Sequence, residues 1–136
     1  MSTAVLDEMP PGADNEVELD LADRPEVRVV RRWAADAVPH IGAEQLQDLL
    51  LVVTEMVSNA YDHGQQPVSL RVLVLGVRVR LEVTDTSLDP PVVGRSRIAD
   101  TRGRGMALVA ALTADWGHTT SAAGKVVWAE LEHGIV

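Results

Sequence analysis

The sequence predicts an α+β fold of two layers, with helices on one face of a mixed, mainly antiparallel sheet. Three observations predict it. Residues 43–63 carry apolar side chains at helical spacing, residues 68–85 alternate apolar with charged side chains around Gly76, and the elements follow in the order strand, two helices, hairpin, long loop, helix, hairpin.

Taken in order, residues 1–15 mix Pro, Gly and acidic residues without periodicity and are expected to form a flexible tail, leaving 16–136 as the domain. Residues 16–21 alternate Val17, Leu19 and Leu21 with polar neighbours, the pattern of a half-buried strand. Asp23 then offers an N-cap and Pro25 a first-turn residue for a helix reaching about Val38, with Val27, Val30, Ala34 and Val38 on its apolar stripe. A second helix spans 43–63, set off by Pro39 and Gly42 before it and Gly64 after it. One face holds Leu46, Leu49, Leu50, Val53, Val57 and Ala60, and the opposite face holds Glu55, Asn59 and Asp62. Residues 68–85 form a hairpin with one wet face, and residues 87–102 form a lid, being longer than an ordinary connection. Helical spacing resumes over 103–113, followed by a hairpin of 116–120 and 126–131 through a turn at 121–124.

Composition narrows the function. At 136 residues, 46% hydrophobic and 24% charged, the chain has the size and make-up of one globular domain, and no apolar run approaches the roughly 20 residues of a membrane-spanning helix. A net charge of −8 argues against nucleic acid as a partner, since a phosphate-tracking protein needs concentrated positive charge. No cysteine is present, and residues 1–15 lack the basic and apolar segments of a signal peptide, so a cytoplasmic address is expected. His40, His63, His118 and His133 show no metal-binding spacing, which predicts no zinc. With no Phe in the chain, Trp33, Trp116 and Trp128 are expected to provide core bulk.

Three constellations carry chemistry. Glu55 and Asn59 lie four apart on one helix, so a carboxylate able to take a proton and an amide oxygen able to ligate Mg²⁺ leave the helix together, although such pairs are also common on solvated helix faces. Asp85 closes the second hairpin strand; there it either caps a turn or accepts a hydrogen bond from the exocyclic amine of adenine. Gly103, Arg104 and Gly105 stand directly before a helix, where glycines admit a phosphate to helix N–H donors. Neither commoner nucleotide motif is complete. Leu108 replaces the third glycine of a dinucleotide fingerprint, and Lys125 is followed by Val126 where a Walker lysine needs Ser or Thr.

In this order the constellations resemble the Bergerat-fold ATPases, the superfamily of DNA gyrase, the heat-shock chaperone, sensor histidine kinases and MutL. The likeness is strongest to short bacterial anti-sigma factor serine/threonine kinases. LLVVTEMVSNAYDHG resembles their N box, LEVTDTSLDPP the adenine box, TRGRGMALVAALTADWG the lid and following helix, and GKVVWAEL the closing strand. The resemblance implies ATP and Mg²⁺ as cofactors, Glu55 as general base, Asn59 as Mg²⁺ ligand, Asp85 as adenine reader, and Gly103, Arg104 and Gly105 as phosphate-facing. His63 either approaches the nucleotide or stabilises the helix C-terminus through its dipole. Two departures stand out: Thr86, Ser87, Leu88 and Asp89 replace a glycine-bearing loop, and Val126 stands where a Thr often occurs. The implied function is a kinase that binds a sigma factor and phosphorylates an anti-sigma factor antagonist, dimeric like its relatives, with the strand at 16–21 offering an edge. The alternative is a nucleotide-gated binding module without kinase activity, in which ATP only orders the lid.

Overall fold

The computed structural model describes residues 15–63, 66–87, 101–122 and 124–133, the first five residues of the last helix through their backbone only. The elements are β1 (Asn15–Asp20), α1 (Val27–Ala37), α2 (Ala43–His63), β2 (Pro67–Leu75), β3 (Arg78–Asp85), α3 (Thr101–Leu112), β4 (Asp115–Ser121) and β5 (Gly124–Glu132). The five strands form one sheet in the order β1-β2-β3-β5-β4. Each pairing is antiparallel, so the mixed, mainly antiparallel sheet of the sequence reading is in fact antiparallel throughout the described strands. The expected tail over 1–14 and most of the expected lid, residues 88–100, lie outside the described residues.

Alternation decides which sheet face meets the helices. The register puts Leu70, Val72, Val79, Leu81, Val83, Val127, Ala129 and Leu131 on one side, all buried. Helix α2 lies on that side against β2, β3 and β5 and is flanked by α1 and α3. Its Leu49, Val53 and Val57 are fully buried, and each such side chain contributes about 1.5–3 kcal/mol on leaving water. Because α2 is covered on three sides, Val52, Met56 and Asn59 are buried as well, beyond the single apolar stripe that spacing alone predicts.

The opposite sheet face carries a ladder of ion pairs. Arg71 bridges Glu16 and Glu82, Arg80 bridges Glu82 and Glu130 at 2.8 Å each, and Arg78 reaches Glu130 at 3.2 Å. This is the wet face expected of the first hairpin, extended across β5. Trp128 belongs to it, with Arg80 stacked 4.4 Å from its ring and Gly117 directly beneath the indole. Trp128 therefore departs from the expected core role, whereas Trp33 and Trp116 do pack against the core. No helix among the described residues is long and apolar enough to cross a membrane.

The entry to α1 differs from expectation. Asp23 does not cap it; the N-cap is Glu26, without a side-chain hydrogen bond. Arg24 adopts φ 53°, and Pro25 disfavours helical backbone in the residue before it, so the helix starts two residues after the proline.

Candidate functional site

One end of the sheet collects the residues that carry chemistry. Asp85 is the last residue of β3 and pairs with Pro67, the first of β2, and with Lys125 of β5. Thr86 N–H donates to the Gln66 carbonyl at 3.0 Å, and Gln66 N–H to Thr86 Oγ1 at 3.1 Å. These bonds hold the end of β3 against the segment that leaves α2 at His63, so the C-terminal half of α2 and the tip of β3 lie at the same end.

On α2, Asn59 is 7% exposed, and its Nδ2 is buried without a hydrogen-bond partner among the described residues. The orphaned atom is the donor of the amide, and Oδ1 is the acceptor of the same group. Glu55, one turn earlier, is half-buried, and its burial raises the carboxyl pKa above the ordinary glutamate value. Asp62, grouped with them by helical spacing, is exposed, whereas Asn59 is buried. His63 ends α2 with its Nε2 buried and without a partner among the described residues.

Asp85 is 1% exposed and does more than cap a turn. Its Oδ1 accepts the Ser87 N–H at 2.7 Å, the turn-capping bond, while Oδ2 faces the Lys125 ammonium at 3.6 Å. Lys125 is 4% exposed. Val126, which stands on the closing strand where a Thr often occurs, pairs with Thr84 on the ladder face; the neighbour of Asp85 is Lys125. Gly124, also missed, has φ 142°, and a Cβ there would stand 2.2 Å from the Asp85 carbonyl oxygen.

Gly103, Arg104 and Gly105 lie inside α3, which begins at Thr101, instead of preceding a helix. The first four N–H groups of a helix have no intrahelical acceptor, so Gly103 and Arg104 belong to the donor-bearing first turn. At its other end α3 passes through Thr113 to Ala114, whose N–H donates to the Glu130 backbone carbonyl at 2.8 Å, at the end of β5 remote from Lys125. A cleft of about 290 Å³ lined by Gln45, Asp48, Leu112 and Glu132 sits near the start of α2. From Asp48 to Asn59 the helix climbs about 16 Å, so this cleft is separate from the cluster.

Arg24 and Tyr61 fix the C-terminal turn of α2. Arg24 Nη1 donates to the Tyr61 carbonyl at 2.9 Å, its guanidinium lies 5.4 Å from the Tyr61 ring, and the Tyr61 hydroxyl donates to the Pro25 carbonyl at 2.7 Å. The bond satisfies a helix-end carbonyl and holds Arg24 at its positive φ. Arg24→Ala is expected to lower stability by about 1–2 kcal/mol, seen in urea as a lower midpoint at unchanged slope.

The histidine kinase-like ATPase domain family matches residues 20–131 of the chain. No curated protein matches it significantly. Among solved structures, it is similar to the RsbU and RsbW domains of Rv1364c from Mycobacterium tuberculosis, with 18% identity and a TM-score of 0.64. That likeness covers 87% of this chain but only 32% of the other, and at such identity it speaks for the fold.

Proposed function

The chain belongs to the histidine kinase-like ATPase domain family, and from that premise we propose that it is an anti-sigma factor kinase, which transfers phosphate from ATP to a serine or threonine of an antagonist protein. ATP binding follows from the family; the kinase, its sigma factor and its antagonist are our reading. The observation that carries the site is Asn59. An unpartnered polar atom buried on a helix costs about 1–3 kcal/mol, and a ligand that completes it explains why it is kept.

The residues fit Mg²⁺ and nucleotide in kind. Asn59 offers a neutral amide oxygen that adds no charge against phosphate. Asn59 would hold a divalent ion through that oxygen, and among the described residues no three acidic or histidine side chains gather to hold a metal. When bound, the ion neutralises charge on the transferred phosphoryl group. Asp85 accepts from the adenine amine, and guanine, with a carbonyl at that position, is refused. The first-turn backbone donors of Gly103 and Arg104 face the phosphates, Gly105 keeps the next position free of a side chain, and His63 lines the nucleotide side of α2. Glu55 takes the proton of the acceptor hydroxyl, and its raised pKa suits that task.

Incubation with ATP, Mg²⁺ and candidate antagonists tests the kinase: phosphotransfer is expected, and ATP binding without transfer to any antagonist would favour the nucleotide-gated module instead. Asp85→Asn replaces the acceptor oxygen pair by an amide and should weaken ATP at least tenfold by calorimetry, roughly the worth of one charged hydrogen bond. Equal affinity would remove Asp85 as the base reader. The homodimer is proposed through β1, an edge strand among the described residues, and sedimentation showing only monomer at micromolar concentration would refute it.

A further inference from the structure

We propose that Lys125 is a second base-reading residue, donating from its ammonium to adenine N1 while the neighbouring Asp85 carboxylate accepts from the adenine amine. This rests on the ATP-site reading above and adds a residue to it. The register places Lys125 directly opposite Asp85 on the helix-facing side of the sheet, and the two groups stand 3.6 Å apart at 4% and 1% exposure. Lysine is rarely so buried, and Lys125 is the only lysine in the sequence, the other eleven basic residues being arginine. A compact ammonium suits a narrow site beside a base edge better than a planar guanidinium.

The chemistry matches one base edge. Asp85 Oδ1 accepts from the Ser87 N–H, and Oδ2, next to the ammonium, is the acceptor assigned to the base. An acceptor and a donor side by side complement adenine, whose amine donates next to the N1 acceptor. Guanine reverses both, presenting an O6 acceptor and an N1–H donor. In the same pose it would set carbonyl against carboxylate and N–H against ammonium. The pair thus reads two atoms of the base, where Asp85 alone reads one.

The test is a cycle between one side chain and one ligand atom. ATP and 1-deaza-ATP, which lacks the N1 acceptor, are titrated calorimetrically into wild type and Lys125→Met. Wild type is expected to lose about tenfold in affinity on N1 removal, and Lys125→Met about tenfold for ATP but nothing further for the deaza analogue. Additive losses would overturn the contact, because a lysine that only supports Asp85 or the fold leaves the N1 effect intact. Should Lys125→Met fail to fold, wild type labelled with ¹⁵N-lysine supplies a single side-chain signal. ATP at saturation should move it, and 1-deaza-ATP should leave it near its free position; the same displacement with both would also overturn the contact. Absence of ATP binding by wild type would instead defeat the underlying ATP reading, so the two failures are distinct.

Discussion

Gly124→Ala is expected to lower stability by roughly 3 kcal/mol or more and to abolish ATP binding. Gly124 opens β5 with φ 142°, a backbone region that side chains with a Cβ rarely adopt. The added methyl would meet the Asp85 carbonyl oxygen at 2.2 Å and Thr86 Cα at 2.9 Å. Both are backbone atoms, so no rotamer change relieves the clash; the end of β3 must part from β5. That is where Asp85 and Lys125 face each other, so damage to the fold and damage to the site arise together. Gly76→Ala is the control. Gly76 also has positive φ, 65°, but nothing lies within 4 Å of its added Cβ, so about 1 kcal/mol is lost and ATP binding persists. Denaturant melts and calorimetry on the two variants separate the cases, and wild-type ATP affinity in Gly124→Ala would refute the close approach.

The contrast between these glycines shows what the sequence makes legible. Gly76 sits between two runs of strict alternation, so its hairpin and turn are readable from local pattern. The bounds of α2 are readable for the same reason: helical spacing persists over 43–63 and breaking residues flank it. Glu55 and Asn59 are legible as a pair because they lie one turn apart on that helix, and the pair gains meaning only from Asp85 and the Gly103–Gly105 segment that follow in order. Gly124 and Lys125 are not legible, because their placement beside Asp85 depends on β3 pairing with β5 across a helix and a strand. Register shifted by one residue exchanges the two sheet faces, and with the pairing unknown Val126 was as eligible as Lys125. Trp128 was misplaced by the same ambiguity. The first turn of α3 and the entry to α1 were misread by a few residues because Gly and Pro mark breaks without fixing where a helix begins.

Glu55→Gln is expected to reduce phosphotransfer by about 10²–10⁴-fold while leaving ATP affinity unchanged, since general-base catalysis contributes on that scale and glutamine keeps the shape. Two pH effects accompany it. Burial raises the Glu55 carboxyl, and the base acts only when ionised, so the acid limb of the wild-type rate profile lies above the ordinary glutamate value. The same shift acts on folding with a determined sign. Between the ordinary and the raised value the folded protein holds the proton more tightly than the unfolded chain, so stability falls as pH rises through that window. Glutamine, neutral throughout, escapes the loss. Above the window Glu55→Gln should therefore melt slightly higher than wild type, and below it the two should coincide; partial exposure keeps the difference small. A carboxylate kept at such a disadvantage is explained by what its charge does. If Glu55→Gln transferred phosphate at the wild-type rate, the carboxylate would have no such task, and the nucleotide-gated module would become the better account of this chain.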